Sequence, residues 1–115
     1  MHGEGVILSL IELTPISGNR EKVLELLRFS VDRLRTRQGC LGCGVYECAD
    51  DRETILYLER WESEEELHRH IQSNIYLGVL NAIDLADGPR EINFCNVSDT
   101  KSMELIVSLR TSGAA

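Results

Sequence analysis

Residues 54–71 read TILYLERWESEEELHRHI, and the change of pattern inside this stretch decides the fold. Its first half is a strand pattern, with Ile55, Tyr57 and Trp61 on one side and Leu56 and Leu58 on the other, because successive side chains of a strand point to opposite faces. Its second half is a helix start: Ser63 stands three residues before Glu66, the spacing of a capping box, ahead of EEELHRHIQS. Just upstream, GCGVYECA and TILYLERW flank the turn DDRE, which is a hairpin pattern.

Working outward, NREKVLELLRFSVDRLRTRQG places Val23, Leu27, Val31 and Leu34 at intervals of four, four and three, one helical stripe. This predicts a helix over 19–38, capped by Ser17 or Asn19 and stopped by a left-handed Gly39. VILSLIEL at 6–13 is a strand closed by TPISG, with Val6, Leu8 and Leu10 on one face and Ile7, Ile11 and Leu13 on the other. Beyond the capping box, NIYLGVLNAIDL is a second helical piece with Ile75, Val79 and Ile83 on one stripe; ADGP is expected to break it, and REINFCNVS at 90–98 is the last strand. The tail MELIVSLR fits helix or strand alike.

The order strand, helix, strand, strand, helix, strand is the α+β arrangement of a ferredoxin-like fold: one antiparallel sheet with its helices on one face. A single domain over 1–115 is expected, with a core at about 5–98 and an extension at 99–115. Two helices cover one face of a four-stranded sheet, yet the strands carry large apolar groups on both. Burying each such side chain is worth roughly 1.5–3 kcal/mol, so the second face requires a cover. A second copy of the chain, sheet against sheet, supplies it, which predicts a homodimeric α/β barrel with room for a small aromatic or hydrophobic ligand.

Composition excludes several other classes. Twelve Lys and Arg against nineteen Asp and Glu give a net charge of −7, which repels phosphate backbones and anionic lipid, so neither nucleic acid nor a membrane surface is an expected partner. The acidic run ESEEE, Glu62 to Glu66, reads as a solvated helix start. The longest apolar run, VILSLI, is far short of the roughly 20 residues of a spanning helix, and no basic segment precedes it as in a signal peptide, so the cytoplasm is the expected address.

The pattern GCLGCGVYECADDRETILYLERWESEEELHRHIQS, continued by GVLNAIDLADGPREINF, resembles the antibiotic biosynthesis monooxygenase family over about residues 5–98. The resemblance rests on the Gly-Cys after the first helix, the strand ending in ERWES and the HIQS of the second helix. It implies a dimeric ferredoxin-like fold, and among enzymes of the family it implies oxidation of phenols or quinols by molecular oxygen without metal or flavin. Such a site needs a base and a dry apolar cavity. By resemblance His70 is the candidate base, Trp61 a catalytic wall whose indole N–H donates to a substrate oxygen, and Tyr57 and Tyr76 substrate contacts. The plainer alternatives are a helix-edge His70 satisfied by backbone or water and a Trp61 that fills the core. Some relatives carry asparagine where this chain has Tyr57, and a second histidine where it has Ile75. Haem-degrading relatives need an axial histidine near Leu80, so no cofactor and no metal is expected here. A non-catalytic dimeric module binding a small hydrophobic ligand is the alternative function.

The four cysteines add little by spacing alone. Cys40 and Cys43 follow a helix C-terminus, the wrong electrostatic end for a redox couple of the thioredoxin kind. Three apart on a regular strand, they are expected to face opposite ways and to act as small apolar fillers of a tight turn, unless the stretch itself turns. His68 is expected in solvent.

Overall fold

The computed structural model describes residues 5–112. Eight elements follow one another: β1 Val6–Pro15, α1 Arg20–Leu34, β2 Cys40–Glu47, β3 Ile55–Trp61, α2 Glu64–Ile71, α3 Tyr76–Asp84, β4 Ala86–Val97 and α4 Met103–Thr111. The strands form one antiparallel sheet in the order β2-β3-β1-β4, the expected ferredoxin-like α+β topology.

Alternation along the strands sorts side chains to the two faces. Ile7, Ile11 and Leu13 of β1 and Ile55, Tyr57 and Trp61 of β3 are buried beneath α1, α2 and α3. Leu8, Leu10, Leu56 and Leu58 point to the other face and are only half-buried. No described element lies over that face. The stripe of α1, Val23, Leu24, Leu27, Val31 and Leu34, is buried as its spacing predicts.

Several boundaries depart from the sequence reading, each for a local reason. α1 ends at Leu34 rather than at 38, because the chain turns at once through an Arg37 N–H to Leu34 carbonyl bond of 3.1 Å. Gly39 then takes the left-handed conformation at φ +91°, where a methyl group would also run into the Glu66 side chain. Asn19 occupies the cap position of α1 without capping it; its Nδ2 donates instead to the Leu85 carbonyl at 3.1 Å, tying the start of α1 to the end of α3. On α3 the buried stripe is Tyr76, Val79 and Ala82, not Ile75, Val79 and Ile83. ADGP does not form a separate break: Leu85 alone separates α3 from β4, which starts at Ala86 and rejoins β1 through an irregular register between Glu12 and Pro15. The tail resolves to helix, α4.

The expectation that Cys40 and Cys43 face opposite ways is overturned by a bulge. β2 pairs Cys40 with Trp61, Gly42 with Arg60 and Cys43 with Glu59, so Leu41 is an extra residue opposite one step of β3. The extra residue resets the alternation. Both cysteines therefore share the helix-covered face.

Candidate functional site

β3 reaches the helix-covered face with Ile55, Tyr57, Glu59 and Trp61, every second residue, and all four are 0% exposed. A buried carboxylate is costly unless its lone pairs are matched. Glu59 is matched three times. Trp61 Nε1 donates to Oε1 at 2.8 Å, Tyr57 Oη donates to Oε2 at 2.6 Å, and His70 Nε2 lies 3.0 Å from Oε2. Because the Tyr57 hydroxyl hydrogen points to Glu59, the 2.7 Å contact between Tyr57 Oη and Ser30 Oγ has Ser30 as donor. A hydrogen-bonded chain thus runs from α1 through β3 to α2.

α2 delivers His70 to this carboxylate. Ser63 Oγ accepts from the Glu66 N–H at 3.2 Å, fixing the first turn, and the helix buries Leu67 and His70, three residues apart on one face. Its other histidine, His68, is exposed as expected. The imidazole is sandwiched by aromatic rings, with Trp61 stacked at 4.9 Å and Tyr76 edge-on at 5.2 Å. With Glu59 as acceptor, the imidazole proton sits on Nε2 and the basic lone pair on Nδ1. His70 Nδ1 is buried and has no partner, and the same is true of Ser9 Oγ. Ser9 stands directly across the β1–β3 pair from Glu59. The Nδ1 edge of the imidazole faces away from Glu59 and can accept a further hydrogen bond.

The electrostatics follow from burial and from Glu59. Burial, then the Glu59 charge, pushes the Tyr57 hydroxyl far above its ordinary range, and the same two causes push Tyr76 up to about 12. Both hydroxyls stay protonated across the physiological range. Three described histidine, cysteine or carboxylate side chains do not gather anywhere as a metal site would require.

All four residues chosen from the sequence, His70, Trp61, Tyr57 and Tyr76, meet at this cluster. The indole N–H of Trp61 and the hydroxyl of Tyr57 are engaged by Glu59 rather than by a substrate. Glu59 itself, Ser30 and Ser9 escaped sequence reasoning. Glu59 was within reach of it, since period-two alternation puts 59 on the face of 55, 57 and 61; a charged residue between Leu58 and Arg60 nonetheless reads as solvated. A recess of about 180 Å³ lies between α2 and β4, lined by apolar Ile7, Leu67, Ile71 and Phe94 and by polar Glu64, His68 and Asn96. Ile7 and Leu67 pack on Trp61, so one layer of side chains separates this recess from the cluster.

The family model described as antibiotic biosynthesis monooxygenase matches residues 6–80. Solved structures share the fold. A conserved protein from Methanosarcina mazei superposes with a TM-score of 0.75 at 21% identity, covering 83% of this chain and 95% of that one. A proposed antibiotic biosynthesis monooxygenase from Deinococcus radiodurans gives 0.74 at 17% identity, over 84% and 96%. A protein from Mycobacterium tuberculosis gives 0.71 at 21% identity, over 84% and 97%. Among curated proteins, none matches the chain.

Proposed function

The chain belongs to the antibiotic biosynthesis monooxygenase family, and on that premise we propose that it oxidises a small aromatic phenol or quinol with molecular oxygen and no cofactor, His70 acting as the base. The observation that carries this reading is His70 Nδ1, a buried ring nitrogen without a partner on an imidazole that Glu59 holds by Nε2. A substrate hydroxyl placed against this nitrogen gives its proton to Nδ1. Glu59 holds the imidazole by Nε2 and balances the positive charge that the ring acquires. The phenolate then transfers electrons to dioxygen, and a ring carbon–oxygen bond forms. His70 returns its proton, the O–O bond breaks, the ring C–H proton is lost, and water leaves. Phenol and dioxygen thus become quinone and water, with no outside reductant.

The cluster is closed to solvent, so substrate enters by displacement of α2, which touches the buried core through Leu67 and His70. The recess beside α2 is the natural mouth. The reading extends to assembly as a homodimer. Half-buried Leu8, Leu10, Leu56 and Leu58 on the uncovered sheet face support it, as does α4, whose Met103, Leu105, Ile106, Val107 and Leu109 are all exposed.

One observation favours a second reading, a non-catalytic dimeric module for a small hydrophobic ligand: Tyr57, Glu59, Trp61 and His70 are all 0% exposed and bonded mainly to one another. Oxygen uptake with a panel of phenols and quinols separates the two. The enzyme gives substrate-dependent uptake that falls at least a hundredfold in His70→Ala; no uptake across the panel, with ligand binding intact, leaves the module.

A further inference from the structure

The bulge at Leu41 builds a second reactive site. It sets Cys40 and Cys43 opposite Trp61 and Glu59, which are alternate residues of β3. Their Cα atoms are thereby spaced like neighbours on one strand face, about 6.7 Å by strand rise, near the outer limit of disulfide reach. Both thiols lie against the apolar group around Trp61. Each also leans on a backbone carbonyl, Cys40 Sγ on Gly42 at 3.6 Å and Cys43 Sγ on Val31 at 3.8 Å. Both are only partly buried. Cys43 lines a groove of about 390 Å³ between α1 and β2 that is flanked by Arg28, Asp32 and Arg35, so the Cys43 side of the pair is open to small molecules.

We propose that Cys40 and Cys43 are a dithiol that closes to a reversible intrachain disulfide on reaction with a hydroperoxide. Burial pushes both thiols above the ordinary value, Cys43 further, to about 12, so Cys40 is the attacking sulfur. The Cys40 sulfur bonds to the terminal peroxide oxygen as the O–O bond breaks; with hydrogen peroxide, water leaves and a sulfenic acid remains. The Cys43 sulfur then bonds to the Cys40 sulfur, displacing hydroxide, which takes the Cys43 proton and departs as a second water. Two thiols are oxidised to one disulfide and the peroxide is reduced to two waters. Strand geometry stretches the bond, which makes it readily reducible. Because Cys40 and Cys43 pack against the apolar group that contains Trp61, closure is visible to the single tryptophan of the chain.

The test is peroxide treatment of the full chain, followed by denaturation, alkylation and peptide mapping by mass spectrometry. The expected product is a Cys40–Cys43 link lacking two hydrogens and refractory to alkylation, reversed by dithiothreitol, with Trp61 emission quenched on closure and restored on reduction. The Cys48→Ser/Cys95→Ser variant retains the link, and Cys43→Ser diverts Cys40 to sulfinic acid. Sulfinic acid on the wild-type pair, a link between chains through Cys48 or Cys95, or thiols left intact by peroxide that oxidises free glutathione overturns the proposal.

Discussion

At the residue scale the protein turns on Glu59. Its carboxylate organises Tyr57, Trp61 and His70, and removing it leaves three buried polar groups without their common partner. Glu59→Ala is expected to cost roughly 3–5 kcal/mol of stability, measured by urea denaturation; a loss below about 1 kcal/mol means that the cluster is not the buried network described. The tyrosines supply a second expectation. Burial and Glu59 raise the folded-state pKa of Tyr57 and Tyr76 above the ordinary value near 10, to about 12 for Tyr76. Between pH 10 and 12 the folded chain therefore holds more protons than the unfolded chain, and stability present below pH 10 is lost as pH rises through this window. Tyrosinate absorbance at pH 11 should accordingly be lower in the folded chain than in urea, and equal absorbance would remove the claim. Sequence reasoning found His70 and its aromatic neighbours but passed over the carboxylate that joins them, because charge argues for solvent unless the partners on the same face are read together.

At the element scale, α2 is the part whose formation the site depends on. Its first turn is set by Ser63 Oγ, so Ser63→Ala is expected to cost about 0.5–2 kcal/mol and to speed amide exchange in α2 more than in α1. Uniform exchange across both helices would show that α2 does not move as a unit. The capping box, the stripe of α1 and the hairpin were legible because each is local: a few side chains and their spacing determine it. The bulge in β2 was not, because the extra residue is defined by its partner strand, and Leu41 looks like any other strand residue until β3 is laid beside it. Helix and strand could not be separated in the tail for the related reason that α4 touches too little of the fold for its pattern to record a face.

At the scale of the whole molecule, the sheet has one covered face and one uncovered face. Leu10 lies between Leu58 and Asn93 on the uncovered side, where a lysine disturbs no helix contact. Wild type is expected to sediment at twice the 13.0 kDa chain mass and Leu10→Lys as a single chain with unchanged helix content; a wild-type particle of one chain mass in dilute solution would sink the dimer. The two-faced strands were readable, since alternation and side-chain size are properties of the sequence, whereas the exposed apolar side chains of α4 belong to no face that a local pattern encodes. The position of β1 has one more consequence. It precedes the other three strands in the chain yet sits inside the sheet, bonded on one side to β3 and on the other to β4. A nascent chain must therefore carry an unclosed strand, rich in Val, Ile and Leu, until the last strand leaves the exit tunnel, and that interval is when this protein most needs a chaperone.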